Sequence, residues 1–412
     1  MDLSVTIGKN IRSLMESRSV TAVDLAKTLS ISRQTLLNYL KGASAIDTVK
    51  LVEIADYFGV SIDTLLQTDN TSNNYLFRTA LNYQLAQSSI APRINQCINS
   101  YYNLAKAINI PVAYFPEQYN LLISNNNSTI DINFDCNDYF SKKLELNSEL
   151  KEEIKKIALD QRKKLGLFDA DALTAISVLQ KKGINIFFVD FGNCDSFGVS
   201  YVDDEKGCYI FVNTNSDITF ERILFTVFHE YGHIILHRPL YRRKFSNDTP
   251  GTYSFLDRMA NCFAGFFLVP EDSLTSYDNI LNNITSIGSL IPIKQKFQIS
   301  LQSLIMVLGD YNYVSQQFVH SFFEYLKQHD MMKDEPDSII DFPKISNSFD
   351  TIKNEKTIDI LRFVYSNTAL DIDTIKSILW IDENKAANLL AQFNAFQQFS
   401  NADLFNNFFK NN

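Results

Sequence analysis

The sequence predicts a multidomain, mainly α-helical chain that carries one α+β unit. Its 412 residues exceed what one hydrophobic core ordinarily holds, at roughly 150 residues per domain. Apolar residues recur at helical spacing through both ends of the chain, and three short β-like runs interrupt that period between 184 and 212. With 45% hydrophobic residues, including 32 Phe and 19 Tyr, there is apolar material for several packed cores, which excludes a disordered chain.

The formal net charge of -9 excludes a protein that coats nucleic acid or an anionic membrane by bulk charge, so any DNA contact must be local. No uncharged apolar run reaches the roughly 18 residues needed to span a bilayer. The opening MDLSVTIGKN lacks a basic stretch leading into an apolar one, so a cytoplasmic chain without a membrane partner is expected. Cys97, Cys136, Cys194, Cys208 and Cys262 are odd in number, scattered and form no C-x-x-C pair; idle thiols are expected rather than disulfides or a thiolate metal site.

In chain order, residues 5–67 hold five short helical patterns, Val5–Ser17, Ala22–Leu29, Arg33–Lys41, Asp47–Phe58 and Ile62–Leu66. Ser32 and Ser61 stand where N-caps belong, and Gly42 and Gly59 where helices should stop. An all-α domain over 1–67 is expected. The polar run TDNTSNN at 68–74 opens a connecting region, 68–144, with a helical pattern from Tyr75 to Ala107 and an Asn-rich loop or short hairpin at 120–138. The α+β domain, 145–330, begins with a charged helix, Ser148–Leu165. It continues with strands near Ile184–Val189, Gly198–Val202 and Cys208–Val212, a helix from Ile218 to His237, and further helices through Gln328. DEPDS at 334–338 reads as a second seam. A helical C-terminal domain, 340–412, contains Trp380, whose bland reading is core packing and whose sharper one is a partner surface.

Residues 229–233 read His-Glu-Tyr-Gly-His inside an apolar helix. Side chains four apart on a helix lie about 40° apart round the axis and about 6 Å along it, so His229 and His233 can hold one ion. Glu230, about 100° round the helix, can reach a water on that ion, the general-base position of H-E-x-x-H hydrolases. Three of the five histidines fall within nine residues, and polar groups in an apolar helix are costly without a partner such as a metal. The competing reading is chance alignment on a helix face. His237 lies about 12 Å along the axis from His229, too far to share the ion unless the helix loosens at Gly232. The third ligand is therefore expected on 254–270, where Asp257 and Asn261 share a face. Asp257 is a candidate ligand there, and the alternative is that Ser254 and Asp257 form a capping box.

These residues resemble the ImmA/IrrE-like zinc peptidases. The likeness runs through Phe225-Thr226-x-x-His229-Glu230-x-Gly232-His233-x-x-x-His237, then Asp257-Arg-Met-Ala260-Asn261-x-Phe263-Ala264 and Leu268-x-Pro270, and covers roughly 145–325. It implies a zincin-like α+β fold, Zn2+ held by His229, His233 and Asp257, and Glu230 as the catalytic base. His237 and Asn261 would support the site or touch substrate. It also implies a protein substrate such as a transcriptional repressor, in stress response or mobile-element and phage control, bound by strand addition at an edge strand, here Cys208–Val212. The family usually has Glu where this chain has Asp257.

Residues 20–42 resemble the helix-turn-helix of Xre-like, phage-repressor DNA-binding domains, with Ala26 at the tight helix contact and Ser32 capping the second helix. That likeness implies double-stranded DNA as a partner, read by Arg33, Gln34, Thr35, Asn38 and Lys41. Ala22 stands where that family often has Gln. Residues 1–67 carry seven basic and seven acidic side chains, so binding must rest on focused contacts and a homodimer is expected. Two alternatives stay open: a non-catalytic transcriptional regulator whose peptidase-like domain is a sensor, and self-cleavage within 68–74.

Overall fold

The computed structural model describes residues 3–17, 20–58, 62–66, 75–77, 90–110, 113–119, 121–125, 128–131, 146–192, 196–242, 250–284, 286–331, 335, 355–367 and 370–401. The chain divides into two compact units, Met1–Asn74 with Tyr83–Pro92, and Tyr75–Asn82 with Arg93–Asn412.

The first unit holds α1 (Leu3–Ser17), α2 (Ala22–Thr28), α3 (Arg33–Lys41), α4 (Thr48–Phe58) and α5 (Ile62–Leu66), within a residue or two of the sequence expectation. Ile11, Leu25, Leu36, Ile54, Phe58 and Leu65 close its core. Ser32 caps α3 by accepting the Thr35 N–H at 3.0 Å. Gly42 ends α3 in the left-handed region at φ 68, the conformation that favours glycine. Gly8 lets α1 lie against the α3 backbone: a Cβ there would come within 2.4 Å of the Tyr39 carbonyl oxygen. The expected caps Ser61 and Gly59 and the linker 68–74 lie outside the described residues.

The second unit opens on β1 (Tyr75–Phe77), a strand where a helical pattern was expected, followed by α6 (Ile90–Ala107), which belongs to this unit from Arg93 onward. The Asn-rich region folds as the hairpin β2 (Leu122–Asn125) and β3 (Ser128–Asp131). Then come α7 (Ser148–Lys164), α8 (Ala172–Lys182), β4 (Asn185–Val189), β5 (Gly198–Asp203), β6 (Gly207–Asn213) and α9 (Phe220–Leu236). A 3-10 turn (Arg238–Arg242) leads into α10 (Pro250–Leu268).

One sheet has the order β1-β5-β6-β4, with β4 parallel to β6 and the other pairs antiparallel. Alternation sends Ile186, Phe188, Val202, Ile210 and Val212 into the helical core with α7 to α10. Phe187, Tyr209 and Phe211 stack together on the other face, with Tyr101 of α6 edge-on to Phe187 at 5.3 Å. Burial on both faces explains why these strands read as unbroken apolar runs. It also corrects one expectation. Cys208–Val212, expected at the edge, lies inside β6, which has a neighbour on each side; the outer strands of the β4-β5-β6 set are β4 and β5.

Beyond α10 the helical layer continues through α11 (Glu271–Leu274), α12 (Asp278–Leu281), α13 (Ile291–Phe297), α14 (Leu301–Asp310) and α15 (Gln316–Gln328). The seam expected at 334–338 does not hold at Glu335. Its carboxylate lies 3.1 Å from the Lys294 ammonium, which is itself 2.9 Å from Glu221, and it accepts the Leu301 N–H. Burial raises the Glu335 pKa above the usual carboxylate range. The C-terminal region forms α16 (Glu355–Asn367), α17 (Ile372–Leu379) and α18 (Glu383–Asn401). Trp380, at the end of α17, packs 5.8 Å from Phe191 and 6.4 Å from Phe211, with the Arg93 guanidinium 4.1 Å over its ring, which is the core-packing reading.

Candidate metal centre and nucleic-acid interface

The centre begins with the length of α9. It runs unbroken past Gly232 to Leu236, so that glycine does not loosen the helix. Its role is close approach: a Cβ there would sit 3.0 Å from the Phe263 ring and 3.3 Å from the Ala260 carbonyl oxygen of α10. The absence of a side chain therefore brings α10, with Asp257 and Asn261, onto the face of α9 that carries His229 and His233.

Among the described residues, His229, His233 and Asp257 form a group that could hold a metal ion, with ligand atoms all within 4.8 Å of one another. The two Nε2 atoms are 3.1 Å apart, and Asp257 Oδ1 lies 3.4 Å from His233 Nε2 and 3.9 Å from His229 Nε2. Tetrahedral zinc with bonds of about 2.0–2.1 Å separates its ligands by about 3.3 Å, a value inside this range. The tautomers agree. His229 Nδ1 donates to Asn261 Oδ1 at 2.8 Å, an oxygen that can only accept, so the Nε2 lone pair faces the cluster. His233 Nδ1 stands 2.9 Å from His237 Nδ1, and donation in that direction leaves the second Nε2 lone pair facing the cluster too. His237 caps α9 outside the ligand group; burial, then His233, holds its pKa well below the ordinary value, keeping it a neutral acceptor. The residues present fit a metal ion of this kind. The capping-box alternative for Asp257 fails, because α10 begins at Pro250 and Asp257 lies two turns inside it.

Glu230 is fully buried. Ser200 of β5 donates to its Oε2 at 2.5 Å, and Tyr241 from the 3-10 turn donates to Ser200 Oγ at 2.8 Å. Burial raises the Tyr241 pKa well above its ordinary value, so the phenol keeps its proton as the outer donor of this chain. A Cβ at Gly198 would come within 2.4 Å of Thr226 Cγ2 and 3.0 Å of Glu230 Oε1, so a glycine is what lets β5 lie against the carboxylate. Sequence reasoning missed both Ser200 and Tyr241. Ser200 carries a signal, as a polar residue among the apolar positions of β5; Tyr241, in Arg-Pro-Leu-Tyr-Arg, carries none. Asn261 also lines a cavity of about 600 Å³ together with Arg222, Phe225, Arg258, Cys262 and Met306.

On α3, Leu36, Tyr39 and Leu40 face inward, while Arg33, Gln34 and Lys41 are exposed and Thr35 and Asn38 half-buried. Gln34 donates to Asn38 Oδ1 at 3.2 Å, and the Thr35 hydroxyl shares a 2.8 Å bond with Ser32, which orders this face before any ligand arrives. Among the described residues no helix is long and apolar enough to cross a membrane.

The second unit thus sets an H-E-x-x-H helix against a carboxylate on a neighbouring helix, beneath a small mixed sheet, and the first unit is a helix-turn-helix. Comparison with known proteins gives the families. Residues 179–308 match the M78 peptidase family model, described as an IrrE N-terminal-like domain, and residues 11–65 match the helix-turn-helix model. The chain thus joins a helix-turn-helix DNA-binding domain to an IrrE-like M78 peptidase domain. Antitoxin PezA of Streptococcus pneumoniae serotype 4 (strain ATCC BAA-334 / TIGR4) is 34% identical over 67 residues, 16% of this chain; the match spans 42% of that relative's length. No solved structure matches the chain.

Proposed function

We propose that this protein is a cytoplasmic DNA-binding regulator fused to a zinc-dependent peptidase that hydrolyses a peptide bond in a protein substrate, a transcriptional repressor, in stress response or mobile-element control. The observation that carries the reading is the convergence of His229, His233 and Asp257 within 4.8 Å, both imidazoles oriented by bonds at their far nitrogens. Two imidazoles and a carboxylate are a donor set that suits zinc. His229, His233 and Asp257 would hold the ion, which when bound supplies Lewis acidity toward water and a peptide carbonyl. Glu230 accepts the proton of the attacking water at its carboxylate and passes it to the departing amine. Ser200 and Tyr241 hold Oε2 in place. Asn261 and His237 fix the imidazoles. Arg33, Gln34, Thr35, Asn38 and Lys41 contact DNA, and a charge-neutral domain of this kind works as a homodimer on two half-sites.

The test is metal content of the purified chain beside His233→Ala and Asp257→Ala, followed by hydrolysis of a protein substrate by wild type and Glu230→Gln. About one zinc per chain, lost in both ligand variants, with activity lost in Glu230→Gln, supports the reading. A second reading, a sensor that does not cleave, draws on Asp257, whose shorter side chain leaves Oδ1 3.9 Å from His229 Nε2. Zinc bound with no hydrolysis in wild type would select it.

A further inference from the structure

β5 borders the candidate base more intimately than any other strand: Ser200 bonds Glu230, and Gly198 abuts the same carboxylate. Its free edge would therefore be the one along which a peptide lies to present a bond to this centre, since an extended chain adds to a sheet edge through backbone hydrogen bonds. That edge is taken. β1 pairs with it antiparallel, with Tyr75 opposite Tyr201, Leu76 opposite Ser200 and Phe77 opposite Val199. Two features set β1 apart from its neighbours. It comes from more than a hundred residues upstream of β5 and lies outside the 179–308 family match, which by itself contains β4, β5, β6, α9 and α10. It is also only three residues long, so few backbone bonds hold it.

We propose that Tyr75–Phe77 is a built-in strap on the substrate edge, and that a protein substrate reaches Glu230 as an extended, strand-forming segment that displaces it. This rests on the peptidase reading above. The strap occupies the edge from within the same chain, so a free peptide competes against an effective concentration on the order of millimolar.

The experiment measures binding rather than turnover, in the full-length chain carrying Glu230→Gln. The probe is a fluorescein-labelled synthetic peptide with the sequence of residues 71–82. Tyr75→Cys with Tyr201→Cys places thiols at directly opposed positions, where Cβ atoms stand about 4.5–5.5 Å apart and a disulfide can close with slight adjustment. Strand alternation puts position 201 on the sheet face away from Ser200 and Glu230. Oxidation should weaken probe binding about tenfold or more, and reductant should restore it. Leu76→Pro, which removes a backbone donor from the strap, should strengthen binding by a comparable factor relative to the unsubstituted strap. Equal affinity in the oxidised, reduced and Leu76→Pro proteins overturns the strap, and Leu76→Pro alone decides should the cysteine pair misfold. Cleavage of the zinc-loaded wild-type chain within 71–82 also overturns it, because the segment would then be substrate. If probe binding follows the lock while no protein is hydrolysed by the unlocked wild type, the strap stands and the peptidase reading falls.

Discussion

α3 and α9 each carry candidate functional side chains, and they handle them in opposite ways. α3 turns Arg33, Gln34 and Lys41 to solvent and keeps Leu36 and Leu40 for its core, so its chemistry and its folding use different residues. On α9, His229, Glu230 and His233 are as buried as Phe228 and Tyr231 beside them. Polar groups so placed need partners, which Asn261, His237, Ser200 and, under the proposed reading, an ion supply. The difference teaches that the exposed face of α3 can be altered with little structural cost, whereas the candidate metal centre on α9 is part of the core that holds its domain together.

The sharpest break in that comparison would come from Glu230→Gln. It is expected to lower hydrolysis of a protein substrate by about 10²–10⁴ while leaving zinc content unchanged, measured by turnover and metal analysis on one preparation. Next in size is metal removal. A chelator should destabilise the unit containing α9 by about 4 kcal/mol if zinc is present at a thousandfold its dissociation constant. That corresponds to roughly 10 °C in its melting transition. A separate α1–α5 transition in calorimetry should not move; a matching fall there would erase the contrast.

Two substitutions of intermediate size probe one helix each. Gly198→Ala drives a Cβ to within 2.4 Å of Thr226 Cγ2 and should cost about 1–3 kcal/mol in chemical denaturation, with loss of turnover. Arg33→Ala should weaken operator binding by about 1–3 kcal/mol at fixed salt, with melting temperature and zinc content unaltered. The smallest effect is expected from Tyr241→Phe, which removes the donor to Ser200 while keeping the ring; a fall in turnover worth about 1 kcal/mol with unchanged zinc would assign Tyr241 to positioning Glu230.

Much of the fold was legible because local rules agreed with it. The caps Ser32 and Gly42, the turn of α9 that separates His229 from His233, and the Asn-rich hairpin are settled within a few residues of chain. What was not legible depends on distant segments. Cys208–Val212 reads as an edge strand or an interior one equally well, because its apolar run reports burial on both faces and says nothing of how many neighbours it has. Glu335 sits in a polar run that resembles a linker, yet Lys294 draws it into the core. β1 lay under a helical pattern, because pairing with an edge far along the chain outweighs local propensity.

By itself the sequence determined the H-E-x-x-H helix, since helical periodicity and spacing are properties of contiguous residues, and its motif likenesses implied the two domain types and the candidacy of Asp257. Only the tertiary structure decided that Gly232 serves the crossing of α10, that Ser200 and Tyr241 hold Glu230, and that Tyr75–Phe77 lies on β5. Each of these depends on residues separated by many positions, brought together by packing that no local pattern encodes.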